Sequence, residues 1–573
     1  MKFVRVNMNN QTVSEEAVPQ EYIGLGGRGL TSVMINNEVP PRCDPLGPEN
    51  KLIFAPGLLS GTSLVNTSRV SIGAKSPLTG GIKESNVGGT MGFSLGKLGI
   101  TAIIVEGKAP QGELKFLKID DQGNASLVPA QDYKSMRTYE LVEKIHENFG
   151  KKNSVLCIGP AGEQEFKVAS IQGSDTEGRP CRAAGRGGLG AVMGAKGLKA
   201  LIVDQGGKNS DPIADPETFK ESSKVLTKII REDPFSGEML PNLGTPVLVA
   251  PVNSLGAFPS LNAREGVFDG WEKISGEAMA EIQGPRGGKM KHMGCTQCIV
   301  HCSNEYVDED GKYITASLEY ETIWAMGGMT GIDHLDTIAK LDFLCDDIGV
   351  DTMSTGVGIA VAMDSGYKSF GDIDAAIEMV EDIARGTEFG KILGQGPVAV
   401  GKHFDNARVP AVKGQSIAAY DPRSMIGNGV TYATTPMGGD HTAGNLVGVY
   451  LGQVLDPLKK EGQVDTSRGL QFFNAAADSV GMCLMVYASL NSPEAREAFL
   501  SVTNAKLGPE LAVEDLISLG ERILKAEREF NRKAGFTKND DRLPKFFYEE
   551  PLPPHNTVFP FSNEELDTVF GFE

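Results

Sequence analysis

The chain predicts an α+β fold, with a sheet-rich N-terminal domain over residues 1–206 and two mainly α-helical domains over 207–412 and 413–573. Three observations carry this reading. Short β-branched runs separated by turn residues fill the first third, and helical spacing of apolar residues takes over after Pro212. The 70 glycines crowd the first two hundred residues and again the stretch 425–450. At 573 residues the chain exceeds the roughly 100–200 residues of one domain, so several domains and a large core are expected.

Taken in order, Met1-Lys-Phe-Val-Arg-Val-Asn7 alternates apolar and polar residues, the period of a half-buried strand. Lys51-Leu-Ile-Phe-Ala55, Ala102-Ile-Ile-Val-Glu106 and Leu201-Ile-Val203 read as further strands. Pro216–Arg231, Ile373–Arg385 and Glu514–Lys533 place apolar residues at helical spacing and read as helices, while strand-like runs become rare. No internal repeat and no low-complexity segment is visible in the residues.

A formal net charge of -19 argues against nucleic acid or an anionic membrane surface as partner. No apolar run has the length of a membrane span, and the first residues lack a basic stretch leading into an apolar core. The expectation is a soluble, cytoplasmic protein. Of the eight cysteines, Cys43, Cys157, Cys181 and Cys345 are scattered singly and read as reduced core thiols rather than a disulfide framework.

The other four carry chemistry. Cys295-Thr-Gln-Cys298-Ile-Val-His-Cys302 brings three soft ligands onto one short loop, and Cys483 in Asp478-Ser-Val-Gly-Met-Cys483 offers a remote fourth. Four thiolates suit a [4Fe-4S] cluster, with a loop wrapping one face and a distant residue closing it. A tetrahedral zinc site that includes His292 or His301 is the alternative. Radical chemistry on adenosylmethionine is disfavoured, because its triplet runs CxxxCxxC, the reverse order of spacings.

Two segments match GxGxxG, Gly24-Leu-Gly26-Gly-Arg-Gly29 and Gly185-Arg-Gly187-Gly-Leu-Gly190. Neither follows a clean strand, so nicotinamide binding is not the favoured reading. Arg182-Ala-Ala-Gly-Arg-Gly-Gly188 reads instead as a phosphate loop, in which backbone amides and two guanidinium groups meet anionic oxygens, or as a tight turn with surface arginines. Asp346-Asp-Ile-Gly349-Val-Asp351 and Asp478-Ser-Val-Gly481-Met-Cys483 share the form DxxG-apolar-[DC]. Each alone reads as a glycine-capped helix end. Two copies, one of them ending in the candidate fourth cluster ligand, suggest two equivalent nitrogen-rich heterocycles held beside the cluster.

These residues bring the chain close to a known family. It resembles the tungsten-containing aldehyde ferredoxin oxidoreductases nearly end to end, through Asp44-Pro-Leu-Gly-Pro-Glu-Asn-Lys51, Lys75-Ser-Pro-Leu-Thr-Gly80, Ser85-Asn-Val-Gly-Gly89 and Val105-Glu-Gly-Lys108. The likeness continues in Pro160-Ala-Gly-Glu163, Ala183-Ala-Gly-Arg-Gly-Gly188, Glu319-Tyr-Glu-Thr322, Ala419-Tyr-Asp-Pro-Arg423 and Leu543-Pro-Lys545.

The resemblance implies a tungsten bis-pterin cofactor cradled by the N-terminal domain, a [4Fe-4S] cluster on Cys295, Cys298, Cys302 and Cys483, and a magnesium ion joining the pterin phosphates at Asn86 and the Ala183 carbonyl. It implies pterin contacts from Asp346, Gly349, Val350 and Asp351, and from Asp478, Gly481 and Met482. Arg69 would lie between cluster and pterin, with Gly88, Arg182, Gly185 and Arg186 in the adjoining loops. The implied reaction is oxidation of an aldehyde to the carboxylic acid, with Glu321 as general base and His441 as donor to the substrate carbonyl. Electrons would leave to ferredoxin or to a small iron-sulfur subunit.

Departures from the family pattern set limits. Where some members hold an interface iron with an ExxH motif, this chain reads Lys340-Leu-Asp-Phe343, so no bridging iron is expected; an oligomer is, though of undetermined arrangement. Asp440 is expected to raise the pKa of His441 if it lies close. Low-potential reduction of an acid or aromatic thioester, a non-catalytic electron relay, and a zinc-stabilised binding module stand as alternatives. Tungsten and molybdenum share the same sulfur ligation, so the sequence does not choose between them.

Overall fold

The computed structural model describes residues 1–207 and 212–572. The N-terminal region holds two six-stranded sheets. The first contains β1 (Lys2–Asn7), β2 (Thr12–Ala17), β3 (Leu52–Pro56), β4 (Val70–Lys75), β5 (Ile82–Val87) and β6 (Ile100–Glu106). The second contains β7 (Lys115–Ile119), β8 (Ala125–Pro129), β9 (Asn153–Cys157), β10 (Ile171–Gly173), β11 (Arg182–Ala184) and β12 (Leu198–Asp204).

The strand orders are β2-β1-β6-β3-β4-β5 and β8-β7-β12-β9-β10-β11. Position for position these are the same order, and in both sheets only the pair β1·β6 or β7·β12 is parallel. The helices agree as well. Gly27–Glu38 and Thr138–Phe149 follow the first hairpin of each half, and Met91–Lys97 and Leu189–Ala195 precede the last strand. The N-terminal region is therefore a duplicated unit, although no repeat is visible in the residues. The duplication lies in topology and not in residue identity, which is why no period shows in the sequence.

One apolar core, with Val6, Phe54, Ile72, Leu117, Leu156 and Leu201, joins both sheets to the two short helices. The outer face of the first sheet packs against Gly27–Glu38 through Leu30 and Met34. That of the second packs against Thr138–Phe149 through Leu141 and Ile145. The layering brings edge strand β5 beside edge strand β11, and the cleft between them opens toward the rest of the chain.

Beyond residue 212 helices dominate, as the periodicity predicts: Pro216–Glu232, Ile373–Arg385 and Leu516–Ala534 match the expected segments closely. Their ends are set by local chemistry, with Asp215 and Asp372 capping N-termini and Gly386 and Gly535 turning the C-termini through positive φ. One feature is new. A three-stranded sheet, Lys289–His292, Ser303–Val307 and Tyr313–Ala316, flanks the cysteine loop and braces it from both sides. The hairpin Ala411–Val412 and Gln415–Ser416 straddles position 412.

Sheet region and last helices are locked by a buried ion pair. Arg28 donates from Nε and NH2 to the two Glu527 carboxylate oxygens at 2.8 and 2.9 Å, and Ser32 Oγ adds a third bond at 2.8 Å. Both charged side chains are almost fully excluded from water. Removing one partner strands the other charge, so Glu527→Gln is expected to cost about 3–5 kcal/mol. Denaturant unfolding of the variant beside the parent checks this, and an unchanged midpoint would contradict it.

Candidate functional site

Both DxxG strings end long helices in the same way. In Leu335–Ile348 the glycine at 349 adopts φ 76°, and Val350 N–H donates to the Cys345 carbonyl at 2.9 Å. In Gln463–Val480 Gly481 adopts φ 87°, and Met482 N–H donates to the Ala477 carbonyl at 3.1 Å. These are paired Schellman ends. A Cβ on Gly349 would come within 2.8 Å of the Gly159 nitrogen, and one on Gly481 within 3.0 Å of Gly57 Cα. Gly57 follows β3 and Gly159 lies just past β9, so the duplicated sheets receive the two helix ends at equivalent places.

That docking aims Asp346 and Asp478 into one cavity of about 360 Å³. Among the predicted residues, Arg69, Asn86, Gly88, Arg182, Ala183, Gly185, Arg186, Val350 and Asp351 also line it, with Glu321 and the four cysteines of the candidate cluster. Gly349, Gly481 and Met482 do not line it; they close the helix ends behind the wall. Asp351 caps the next helix, accepting from Met353 N at 3.1 Å and Ser354 N at 2.9 Å. Burial raises the pKa of both string aspartates, that of Asp478 to about 8.

The four thiols converge from distant chain segments. Asn66 organises three of the contacts: its Nδ2 donates to Cys298 Sγ at 3.5 Å, its Oδ1 accepts from Ile299 N at 3.2 Å, and its carbonyl accepts from Cys483 N at 2.9 Å. Gly89 N–H points at Cys295 Sγ and His301 N–H at Cys298 Sγ, each at 3.2 Å. A Cβ on Gly88 would stand 2.7 Å from Cys295 Sγ, so only glycine fits there. Burial and mutual repulsion push the Cys298 thiol up to about 12 and Cys302 well above its ordinary value, so a cation must offset the charge for the set to ionise.

Among the described residues the one trio of metal-ligating atoms that converges within 4.8 Å is Glu177, His292 and Glu305. No three of the four described cavity thiols converge within that distance, whereas a tetrahedral zinc ion holds its sulfurs about 3.8 Å apart. His292 lies outside the thiol set, its Nε2 2.9 Å from Glu177. Four thiols are a donor set of the chemistry that suits an iron-sulfur cluster.

The strands supply the cationic side. Arg69 donates from Nε to Asn86 Oδ1, and Asn86 donates to Ser71 Oγ at 3.2 Å. Arg182 NH1 lies 3.5 Å from Glu319. Arg186 holds the Gly439 carbonyl at 3.0 Å. Yet Arg182 Nε and Arg186 Nε are buried without an acceptor, an arrangement suited to an anionic guest. Their glycine loop follows strand β11 and opens the helix Leu189–Ala195, contrary to the sequence reading that it lacks a strand. β11 is three residues long and exists through its pairing with β10, so its own residues do not announce it. Gly24–Gly29 instead abuts the second string: a Cβ on Gly26 would meet the Ser479 carbonyl at 3.0 Å.

Glu321, on the turn Tyr320–Ile323, and His441 face each other, with Nε2 3.3 Å from Oε1. Ala419 N–H donates to Glu321 Oε2 at 3.0 Å, while Glu321 Oε1 and His441 Nδ1 are buried and unpartnered. His441 does not line the cavity, though both its neighbours do. Burial pushes Glu321 up to about 8, and Asp440 and Asp351 add to the effect. Burial pushes His441 down to about 4, with Arg186 and Lys83 adding to it. The expectation for Asp440 is corrected here. It does pull His441 upward, but its charge is taken by Lys83 Nζ at 2.6 Å, and desolvation wins.

Several cavity residues escape the sequence reading. Lys83 and Glu84 of β5 line it on alternate faces, as do Asp342, whose pKa burial raises to about 7, and Cys181, read above as plain core. Asp342 lies in the Lys340-Leu-Asp-Phe343 stretch, where it receives a bond from Thr315 Oγ1 at 2.7 Å. The adjacent charges Lys83-Glu84 inside a strand that begins at Ile82 are the signal that marks Lys83; Cys181 gives none.

Family comparison agrees with this geometry. Residues 3–205 match the model for the aldehyde ferredoxin oxidoreductase N-terminal domain, and residues 221–568 match that for domains 2 and 3. The chain belongs to the aldehyde ferredoxin oxidoreductase family. The tungsten-containing aldehyde ferredoxin oxidoreductase of Pyrococcus furiosus is 35% identical over 96% of this chain and 92% of its own length. That of Thermococcus kodakarensis is also 35% identical, with the same coverage. A P. furiosus aliphatic sulfonate oxidoreductase, WOR-like subunit, is 27% identical over 96% of this chain and 90% of its own. The active-site complex BamBC of benzoyl coenzyme A reductase superposes with TM-score 0.81 at 21% identity, over 99% of this chain and 92% of that one, and shares the fold. Membership makes the chain an oxidoreductase of a tungstopterin family. No helix among the described residues is long and apolar enough to cross a membrane.

The facing pair gives this family member a defined pH response. Glu321 holds its proton in the folded chain up to about 8 and loses it near 4.5 when unfolded. Between those values the native state binds the extra proton, so its stabilising effect is lost as pH rises. Glu321→Gln removes that loss. The cofactor-free variant is expected to gain thermal stability over the parent at pH 8–9, with the difference shrinking toward pH 4.5; a pH-independent difference would contradict it.

Proposed function

We propose that this protein oxidises an aldehyde to the carboxylic acid, RCHO + H2O → RCOOH + 2 e⁻ + 2 H⁺, and passes the electrons to ferredoxin or a small iron-sulfur subunit. The observation that carries the reading is the Glu321–His441 pair at 3.3 Å, with Glu321 on the wall of a cavity that also gathers four thiols and two helix-end aspartates. Membership supports it, since the relatives that are 35% identical bear that activity in their names.

Asp346, Asp351 and Asp478 would accept from pterin N–H groups, and Arg182 and Arg186 would meet the phosphates beside a magnesium ion at Asn86 and Ala183. Cys295, Cys298, Cys302 and Cys483 would hold a [4Fe-4S] cluster. When bound, the tungsten bis-pterin supplies two-electron redox chemistry at a sulfur-ligated metal, which the cluster hands on singly.

The protein's own part is proton management. Between pH values of about 4 and 8 burial favours the neutral pair, with one proton on Glu321 that can pass to His441. With that proton on His441, Glu321 is a carboxylate able to accept from water, and the imidazolium donates to the substrate oxygen as charge gathers there. With it on Glu321 the carboxyl cannot act as base, and the neutral imidazole is the weaker donor. A shared proton thus makes the two roles arise together. Lys83 holds the Asp440 carboxylate and Arg186 the Gly439 carbonyl, which fixes the chain just before the histidine.

Protein purified without oxygen is expected to contain one tungsten, or molybdenum, and about four iron per chain, and to reduce a viologen dye when given an aldehyde. Zinc without either metal would overturn the proposal, and reduction of thioesters without aldehyde oxidation would shift it to the low-potential reductase. Glu321→Gln is expected to keep its metals while kcat falls about 10²–10⁴-fold; full activity would remove Glu321 from the mechanism. Gly88→Ala, which sets a methyl 2.7 Å from Cys295 Sγ, is expected to lower bound iron, read by metal analysis alone.

A further inference from the structure

The helix Pro216–Glu232 presents Lys220, Lys224, Lys228 and Arg231 along one exposed face, lining a shallow groove that Ser63 completes. In a chain of net charge -19 such a concentration of cations is out of character. Glu232 is the one acid lining the groove, and among the described residues the one ion pair of the four cations is the exposed Lys224–Glu221 contact at 2.7 Å, which exchanges freely with a partner's carboxylates.

The groove is joined to the thiol set at both ends. Ser63 lies three residues before Asn66, a reach of about 11 Å at most, and Asn66 binds the Cys298 sulfur and the Cys483 backbone. The helix runs through Asp233 into the π-helical turn Pro234–Met239, where Ser236 Oγ donates to the Met485 carbonyl at 2.9 Å, two residues past Cys483. The groove lined by Gln164, Lys391, Lys402 and His403 is also cationic, but its residues reach none of the four thiols.

We propose that this face is the docking surface for an acidic iron-sulfur electron carrier, with the cysteine-bearing loops as the route by which electrons cross. The proposal rests on the electron-transfer reading of the preceding section and adds the surface that serves it. At physiological ionic strength charges screen within about 8 Å, so the overall negative charge does not prevent approach of an acidic partner, and the local cations set its orientation. A short path matters more than contact area here, since redox encounters are small and transient.

The test uses the holoenzyme, an acidic bacterial 2[4Fe-4S] ferredoxin as the probe, and viologen as a second acceptor. Lys224→Glu/Lys228→Glu is expected to leave aldehyde-dependent viologen reduction unchanged and to raise KM for ferredoxin about tenfold or more, with a flatter dependence on salt. Lys391→Glu/Lys402→Glu is expected to leave both unchanged. Parent enzyme inactive toward viologen would defeat the electron-transfer reading itself. Parent enzyme active toward viologen, with ferredoxin KM unmoved by the first variant or moved equally by both, would overturn the docking surface alone. Ferredoxin binding by calorimetry, which needs no turnover, should weaken for the first variant only; the milder Lys224→Gln/Lys228→Gln should weaken it in the same sense.

Discussion

Everything at the centre of this molecule depends on two places where backbone meets backbone without a side chain between. Gly481 against Gly57, and Gly349 against Gly159, let the C-terminal ends of two long helices press onto the turns that leave β3 and β9. A methyl group at any of these positions would force the helices away, and the aspartates one turn earlier, Asp346 and Asp478, would leave the cavity wall. The left-handed conformation of Gly349 and Gly481 is required by the same joint. One constraint therefore sets helix termination, domain docking and site geometry together.

The duplication of the sheet unit explains why there are two such joints. Equivalent strands end at equivalent turns, and each receives one DxxG helix end. The edge strands β5 and β11 meet beside them, carrying Asn86 and Ala183 into one cleft. Into that near-symmetric frame the chain inserts what is not duplicated: the cysteine loop on its own small sheet, and Glu321 with His441. The asymmetric elements are the ones expected to do chemistry, whereas the symmetric ones hold.

Electrostatics in the cavity follow from desolvation more than from any single charge. Glu321, Asp346 and Asp478 are pushed up and His441 down, although Arg69, Arg182, Arg186 and Lys83 stand nearby; Asp440, paired with Lys83, is the exception and is held well below the usual carboxylate range. Lys83 and Asp440 largely neutralise each other, and burial keeps the Glu321–His441 pair neutral, with the proton on Glu321. Two arginine Nε groups without acceptors show that the cavity's hydrogen bonding is incomplete within the protein alone, as expected of a site built around an anionic guest.

The sequence alone determined what rests on local pattern. Alternation and helical spacing place the strands and the long helices of 216–232, 373–385 and 516–534, because burial on one face imposes period 2 or 3.6 on the residues. The spacing of Cys295, Cys298 and Cys302 and the paired DxxG strings mark the site for the same reason: each is a short-range ligand geometry. Only the tertiary structure decided the rest. It alone shows that Asn66 unites Cys298 with Cys483, that Lys83 holds Asp440 across 357 residues, and that the first two hundred residues are a duplicated unit. The short strands β10 and β11 and the sheet around the cysteine loop exist through pairing with partners distant in sequence, so no window of local residues announces them. Those contacts depend on close backbone approach and shared burial, which tie together residues that carry no pattern in common.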